Sequence, residues 1–351
     1  MRRNTSPHSR HFITLCFAFA ALLLLPRGAV LSQGLPGAGK TIQPARSTWQ
    51  NEWLGTEIAI RALNDLGYRL KRPVTLDPPA FYQAVGQGDV DFWVNGWFPL
   101  HETYRRVFDS NAEVVGYMVK GGALQGYMID KKTAVAYKIT SLADFKRPEI
   151  AAAFSSSQNG QATLVGGPPG WACELVIEHQ LDAYGLKSSV KPIKASYEAA
   201  MADTLGRYKT GKPVFFYAAT PGWVVGVMKP GIDVVWLPVP FSSLPKGQEA
   251  DETKTIVPHV EGCVTDPCNM GFPPNDIRVV ANKAFLASNP AARKLLEILQ
   301  IPLADFSEQN ARMFAGESKD EDVRRHAAEW IEKNRTLYDG WIGQAKAAAA
   351  H

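Results

Sequence analysis

Residues 197–223 read YEAAMADTLGRYKTGKPVFFYAATPGW, and the pattern in this stretch indicates the fold class. Residues 197–209 have the spacing of an amphipathic helix, and residues 214–217 form the short apolar run of a buried strand. Pro221 and Gly222 then form a turn that presents Trp223. A helix that leads into a short apolar strand is the unit of an α/β fold, which we predict for this chain.

The same pattern recurs on both sides of this stretch. Further helices are predicted at residues 53–66, 141–145, 172–183, 290–300, 305–315 and 320–333, and further strands at 90–94, 126–129, 234–239 and 277–281. Gly67 follows the first of these helices, where a residue suited to the left-handed conformation commonly ends a helix. The mature chain, about 320 residues, is longer than one hydrophobic core usually organises, so we expect two lobes.

The N-terminus has the layout of a secretory signal peptide. Arg2, Arg3 and Arg10 precede an apolar run from Phe12 to Leu25, and small residues follow at 28–32. The run of about 14 residues is shorter than the roughly 20 that a membrane-spanning helix needs. We therefore predict that residues 1–32 are cleaved and that the protein is exported to the periplasm.

Charge and motif content argue against nucleic-acid binding and catalysis. The formal net charge is +4, but the four charged residues of the predicted leader are all arginines, which leaves about 0 for the mature chain. Its basic residues form no patch interleaved with aromatic residues. His179, His259 and His326 are scattered, and the chain contains no zinc-like His/Cys spacing, nucleophile elbow or phosphate loop. We expect no enzymatic activity, metal, cofactor or nucleic-acid partner.

Three cysteines remain after removal of the leader. Cys263 and Cys268 are separated by Val-Thr-Asp-Pro, within a segment at 244–274 that is rich in turn-forming residues. In an exported protein this spacing predicts a local disulfide. Cys173 would then remain a free thiol.

Three of the nine tryptophans, Trp97, Trp171 and Trp223, lie beside glycine and proline. Each is predicted just after a strand or just before a helix, where loops form the ligand cleft of open α/β sheets. A quaternary ammonium group has no N–H to donate, whereas each aromatic face attracts its charge by about 0.5 to 2 kcal/mol. The three rings predict an aromatic cage for such a group, with aromatic packing or carbohydrate stacking as the alternatives.

Donors for a carboxylate are expected near the cage. Ala172 and Cys173 open a predicted helix, whose free backbone N–H groups and positive dipole end attract anions. His101, four residues after Trp97, could add a side-chain donor, and a surface or capping histidine is the alternative. These groups would hold the second end of a ligand whose ammonium lies in the cage.

Several motifs, in the same order along the chain, resemble the glycine betaine-binding protein of ProU-type ABC transporters. They are NGWFPLH at 95–101, GYMIDKKT at 126–133, PGWACE at 169–174, MADT at 201–204, RYK at 207–209, GKPVF at 211–215, TPGWV at 220–224, VVWL at 234–237 and VANKA at 280–284. The similarity runs from about residue 37 to about residue 345. Agreement over this length is not expected by chance.

The resemblance implies a type II periplasmic binding protein fold, an α/β architecture in which two lobes joined by two chain crossings enclose the ligand. We expect residues 33–130 and 274–351 to form lobe 1 and residues 131–273 to form lobe 2. The matching positions imply a cage of Trp97, Trp171 and Trp223 and a carboxylate site of Ala172, Cys173 and His101.

The sequence departs from the family pattern around the site. The family pairs the cysteine that matches Cys173 with one six residues earlier, where this chain has Gly167. Trp49, Trp53 and Trp93 stand where the relative has other residues. Either Trp49 or Trp53 could form a fourth cage wall, or both could pack at the cleft rim. The extra aromatic surface would also suit trimethylamine N-oxide, proline betaine or choline.

These expectations combine into one function. We predict a monomeric substrate-binding protein of an ABC importer that captures glycine betaine or a related quaternary ammonium osmolyte. Its partners would be an inner-membrane permease and the cytoplasmic ATPase of that permease. A ligand-binding sensor with the same fold is the alternative.

Overall fold

The computed structural model describes residues 34–350, so the predicted leader at 1–32 lies outside the described residues. The helices are α1 (Trp53–Asp65), α2 (Pro78–Gln87), α3 (Arg105–Phe108), α4 (Lys131–Tyr137), α5 (Pro148–Ala153), α6 (Ala172–Ala183), α7 (Tyr197–Lys209), α8 (Trp223–Val227), α9 (Lys283–Ser288), α10 (Pro290–Ile298), α11 (Leu303–Phe314), α12 (Asp320–Lys333) and α13 (Arg335–Ala348). The strands are β1 (Thr41–Ile42), β2 (Ala45–Ser47), β3 (Arg69–Leu70), β4 (Val74–Leu76), β5 (Phe92–Phe98), β6 (Ala112–Ala123), β7 (Gln125–Asp130), β8 (Ala162–Val165), β9 (Val190–Ile193), β10 (Phe215–Ala219), β11 (Val234–Leu237), β12 (Ile256–Val257), β13 (Cys268–Asn269) and β14 (Asn275–Asn282).

Two main sheets divide these elements into two lobes. The first sheet has the spatial order β5-β14-β6 and is antiparallel. The second has the order β11-β7-β10-β8-β9, in which β8 runs parallel to β9 and β10 while β7 is antiparallel to β10 and β11. Every residue of β5 and β7 is buried, as expected for strands covered on both faces. The two-lobed α/β architecture confirms the predicted fold class.

The chain passes between the two sheets at two adjacent places. The first crossing is at Leu124, between β6 and β7, and the second lies between β13 and β14. The crossings are neighbours because Ala123 pairs with Asn275. The predicted lobe boundary at 130 therefore differs from the strand pairing, which places β7 in the second sheet. A single residue without a turn signal separates β6 from β7, so the sequence did not mark this change of sheet.

Most predicted elements agree with the structure. The bounds of α6, α7 and α12 are the predicted ones, and Gly67, behind the end of α1, has a φ of +92°. One difference concerns Trp97, which lies within β5 rather than after it. The strand continues through Gly96, where a Cβ would lie 2.8 Å from Cε2 of Phe98 and 3.0 Å from Cγ2 of Val280, so a glycine fits this close contact. A second difference is α13, of which the sequence indicated only a fraying end at 345–350. The helix predicted at 141–145 is a 3-10 helix at Leu142–Lys146, and the sequence reasoning did not predict α2, β6, β8 and β9.

The C-terminal helices cover the first sheet. Helix α10 packs against α13, and α1 packs against α12. Trp330 of α12 stacks on Trp341 of α13 with the ring centroids 5.9 Å apart, so these two tryptophans fill the core of lobe 1. Within residues 34–350, no helix is both long and apolar enough to cross a membrane.

The turn-rich segment at 244–274 lies along the edge of the second sheet. The N–H of Trp236 in β11 donates to the carbonyl of Gly262 at 2.9 Å, and β12 pairs with β13. A disulfide joins Cys263 and Cys268, while Cys173 is a buried free thiol. The disulfide therefore closes a short loop beside the β11 edge.

We expect this disulfide to form in the exported protein and to stabilise it modestly. Closing a loop of this size lowers the conformational entropy of the unfolded chain, which raises the free energy of unfolding by about 2 kcal/mol. Mass spectrometry of the unreduced protein should show a Cys263–Cys268 link and a free Cys173. Reductant should lower the unfolding free energy of the wild type but not that of the Cys263→Ser/Cys268→Ser double variant. A link from Cys173 to either of the other two cysteines would contradict the assignment.

Candidate ligand-binding site

A cavity lies between the two lobes, at the ends of β5 and β10 and the start of β7. The cavity has a volume of about 60 Å³, which suits a small ligand rather than a peptide or a lipid. Three tryptophans and two tyrosines line it. Among residues 34–350, no Asp, Glu, Lys or Arg lines it. A ligand bound there meets aromatic faces and dipoles, and no formal counter-charge.

A chain of hydrogen bonds fixes two of the tryptophans from the side of lobe 1. The indole Nε1 of Trp97 donates to Oδ1 of Asn95 at 2.8 Å. The Asn95 amide in turn donates to Oγ of Ser47 at 2.8 Å, and that hydroxyl donates to the carbonyl of Trp49 at 2.7 Å. Ser47 and Asn95 are each 1% exposed, so the chain is sheltered from water. The ring of Trp97 and the backbone that carries Trp49 are therefore held relative to each other.

Trp171 brings the third ring from lobe 2. It stands just before α6, and its ring meets that of Trp49 edge to face, with centroids 4.8 Å apart and an interplanar angle of 65°. Its indole Nε1 donates to Oδ1 of Asp77 in lobe 1 at 3.0 Å. Tyr104 of lobe 1 also donates to the carbonyl of Gly170 at 2.8 Å. These contacts cross the cleft, so residues of both lobes line the cavity.

Two of the tryptophans considered from the sequence lie elsewhere. The ring of Trp223 stacks on Phe314 of α11, with centroids 4.8 Å apart and planes 11° from parallel, and only the neighbours Gly222 and Val224 line the cavity. Trp53 donates to the carbonyl of Ser47 and stacks under the guanidinium of Arg46, whose carbon is 3.6 Å from the ring centre. Of the two candidates for an added wall, the structure places Trp49 at the cavity and Trp53 away from it.

Trp223 lies outside the cavity because it is the first residue of the short helix α8. The turn at Pro221 and Gly222 directs α8 across the cleft towards α11, and the apolar side chain of Phe314 offers a parallel face there. Trp223 lies beside glycine and proline in the sequence, as Trp97 and Trp171 do. Neither these neighbours nor the periodicity of apolar residues indicates the direction in which α8 points. The predicted cage of Trp97, Trp171 and Trp223 is in this structure a cluster of Trp49, Trp97 and Trp171.

The start of α6 supplies unpaired donors at the cavity. Ala172 and Cys173 are its first two residues, and both line the cavity. Trp171, the residue before the helix, provides no side-chain cap. Within the described part of the chain, neither the Ala172 nor the Cys173 N–H has an acceptor. These N–H groups and the positive end of the helix dipole favour an anion at this position.

His101 adds a donor whose tautomer is fixed by its neighbours. Its Nδ1 accepts the backbone N–H of Trp97 at 3.2 Å and lies 2.8 Å from the Tyr82 hydroxyl. A backbone amide can only donate, so Nδ1 is unprotonated and the neutral ring carries its proton on Nε2. Burial lowers the pKa of His101 to about 3, so the ring is neutral at physiological pH. His101 can therefore donate one N–H to a ligand in the cavity that it lines.

Three further cavity residues were missed by the sequence reasoning: Tyr197, Tyr217 and Gln125. The Tyr197 hydroxyl donates to the carbonyl of Tyr217 at 2.8 Å, and the Tyr217 hydroxyl donates to Oε1 of Gln125. The only sequence signal was a polar residue, Gln125, at the head of the apolar run that forms β7. Tyrosines in a strand and at a helix start resemble ordinary core residues, so nothing in their spacing distinguished them.

The position of Gly167 explains the departure at Cys173. A Cβ on Gly167 would lie 2.4 Å from Sγ of Cys173, so this glycine faces the thiol directly. In this chain Cys173 has no disulfide partner among the described residues and is buried, and burial raises the pKa of its thiol to about 12. Cys173 is therefore a neutral wall of the cavity rather than a nucleophile.

Comparisons with known proteins identify the family of the chain. Residues 40–333 match a family described as the substrate binding domain of ABC-type glycine betaine transport system. The chain is 43% identical over 340 residues to the glycine betaine/proline betaine-binding periplasmic protein of Salmonella typhimurium, covering 97% of this chain and 99% of the relative. It is 42% identical to the protein of the same description from Escherichia coli, again covering 97% and 99%.

Solved structures support the same fold. Lactococcal OpuAC in its closed-liganded conformation with glycine betaine has a TM-score of 0.64 and 20% identity, covering 86% of this chain and 99% of that chain. An ABC-transporter choline binding protein in complex with choline has a TM-score of 0.67 and 17% identity, covering 88% and 96%. These matches confirm the two-lobed fold and the resemblance found in the sequence. The chain belongs to the family of substrate-binding domains of ABC-type glycine betaine transport systems.

Proposed function

We propose that this protein captures glycine betaine in the cavity between its lobes and delivers it to the permease of an ABC importer. One observation carries the proposal: the cavity presents aromatic rings together with unpaired N–H donors, and no charged side chain. Family membership identifies the chain as a transporter's binding component, in agreement with the expectation that it is not an enzyme.

The aromatic part of the cavity suits a trimethylammonium group. Trp49, Trp97 and Trp171 all line it, and each ring can turn a negative face or a methyl-packing surface to the ligand. The hydrogen bond to Asn95 holds Trp97 in place from within lobe 1, and the bond to Asp77 holds Trp171 when the two lobes are together. A ring that is already ordered loses little conformational entropy on binding, so more of its attraction contributes to affinity.

The donor part of the cavity suits a carboxylate. The N–H groups of Ala172 and Cys173 and the Nε2–H of His101 are available there. Hydrogen bonds to a charged acceptor are the stronger class, at about 1.5 to 3 kcal/mol each. They also replace the water that the carboxylate loses when the lobes close.

The absence of ionic side chains from the lining favours a zwitterion over a simple cation. Glycine betaine carries both charges within one molecule, so its burial brings no net charge into the cavity. Choline would bring an uncompensated positive charge, which is costly to remove from water. The solved choline-binding relative shares the fold at 17% identity and therefore gives no argument about this ligand.

We also propose that the protein works in the periplasm beside its permease and the associated ATPase. The support is the leader-like segment at 1–32 and the similarity to periplasmic binding proteins of Salmonella typhimurium and Escherichia coli. The disulfide at Cys263 and Cys268 fits an oxidising compartment.

Replacing the cavity tryptophans one at a time should test the cage. Trp49→Ala, Trp97→Ala and Trp171→Ala should each weaken glycine betaine binding by about 1 to 3 kcal/mol, because attraction to the cation and packing against its methyl groups are both lost. Isothermal titration calorimetry would measure the change. Trp223→Ala is the matched control and should weaken binding less, since its ring lies outside the cavity. An equal loss in Trp223→Ala would show that this ring enters the cage when the ligand binds.

His101→Ala should separate betaine from choline. The variant removes a donor to the carboxylate but none of the three tryptophan rings, so glycine betaine should lose about tenfold or more in affinity and choline less. Wild type should itself bind choline at least tenfold more weakly than glycine betaine. Equal affinity for both ligands in wild type and variant would exclude a carboxylate site at His101. A preference for trimethylamine N-oxide would reassign the substrate while retaining the cage.

Glycine betaine affinity should be constant between about pH 5 and pH 8. With its pKa lowered to about 3 by burial, His101 stays neutral over this range and keeps its Nε2–H donor. Burial also raises the pKa values of the lining tyrosines and of Cys173, so none of them changes charge. If a protonated His101 were the anchor, affinity would instead rise as the pH falls through about 6.5, the ordinary pKa of histidine.

A further inference from the structure

Gln125 occupies a special position in the cavity. It is the first residue of β7, directly after the first crossing between the lobes, and its side chain is 1% exposed. It lines the cavity from the base of the cleft. A long polar side chain buried at this point requires hydrogen-bonding partners for both ends of its amide.

Only one end of that amide has a partner. The Tyr217 hydroxyl donates to Oε1, and burial raises the pKa of Tyr217 well above its ordinary value, which keeps the hydroxyl protonated. This bond orients the amide and leaves Nε2 as its free end. Among the described residues, Nε2 has no acceptor although it is shielded from solvent. An unmade hydrogen bond of this kind is costly, and in a binding cavity a ligand can supply the missing acceptor.

The neighbouring free groups are donors as well. The N–H groups of Ala172 and Cys173 and the Nε2–H of His101 lack acceptors within the described chain. The cavity lining supplies no carboxylate that could pair with any of them. All these groups require an acceptor, and a carboxylate has enough lone pairs to serve several donors at once and accepts more strongly than a neutral oxygen.

We propose that Gln125 is a specificity-determining residue that donates from Nε2 to the carboxylate of the bound betaine. This inference rests on the proposed function and adds a side-chain donor at the chain crossing to the donors of α6 and His101. Gln125 selects ligands that end in a carboxylate over those that end in a hydroxyl, because the hydroxyl of choline is a neutral and weaker acceptor. Tyr217 acts as the positioning residue that holds the amide in the donating orientation.

The test compares affinities for glycine betaine and choline in Gln125→Met, which keeps the length of the side chain and removes the donor. We expect the affinity for glycine betaine to fall by about tenfold or more and the affinity for choline by about threefold or less. Tyr217→Phe is the matched control: it removes the orienting hydroxyl but keeps the donor, so the ratio of the two affinities should change by less than in Gln125→Met. Isosteric Gln125→Glu is the second variant if Gln125→Met fails to fold, as judged by circular dichroism and thermal melting. Its ionised carboxylate would repel a betaine carboxylate, so at pH 8 it should favour choline.

The outcomes separate this inference from the proposed function. If wild type binds no glycine betaine, the proposed function is wrong. If wild type binds it and both Gln125 variants leave the ratio of betaine to choline affinity unchanged, only the role of Gln125 is wrong. A fall in both affinities by the same factor would mean that Gln125 merely supports the shape of the cavity and would overturn the proposal.

Discussion

The contact between Trp171 and lobe 1 is the interaction on which the architecture of the site depends. This ring meets Trp49 edge to face and donates its indole N–H to Asp77, so one side chain joins the lobes by packing and by a hydrogen bond. The chain crosses between the lobes at Leu124 and at 270–274. The ring contacts, together with the hydrogen bond from Tyr104 to the carbonyl of Gly170, hold the two lobes against each other at the cavity. Trp171 also directly precedes α6, so the residue that contacts lobe 1 lies next to the N–H donors at the start of that helix.

The chemistry of the cavity follows from the absence of charged side chains among the described residues that line it. With no charged side chain present, cation attraction must come from ring faces, and anion attraction must come from N–H dipoles. Such groups are effective only if they are ordered in advance, because each is individually weak. The buried chain from Trp97 through Asn95 and Ser47 to Trp49 provides this order in lobe 1. In lobe 2 the order comes from the helix start and from the bond between Tyr217 and Gln125.

Much of the fold could be predicted because periodicity is a local property. The bounds of α6, α7 and α12 followed from the spacing of apolar residues, which the packed structure retains. The change of sheet at Leu124 was missed because pairing partners are distant in sequence: β7 pairs with β10 and β11, more than eighty residues away. Continuation of β5 through Gly96 was missed for a similar reason, since Gly96 pairs with Arg278 of β14, which is distant in sequence.

For the site, the sequence by itself determined the residue types: tryptophans beside glycine and proline, a helix start at Ala172 and a histidine four residues after Trp97. The family pattern in these motifs indicated a quaternary ammonium ligand. Only the tertiary structure decided which rings face the cavity, since Trp49 turns into it while Trp223 stacks on Phe314. It also decided that Gln125 carries a free donor there. The direction of a side chain depends on neighbours brought together from distant parts of the chain, and local sequence does not specify those neighbours.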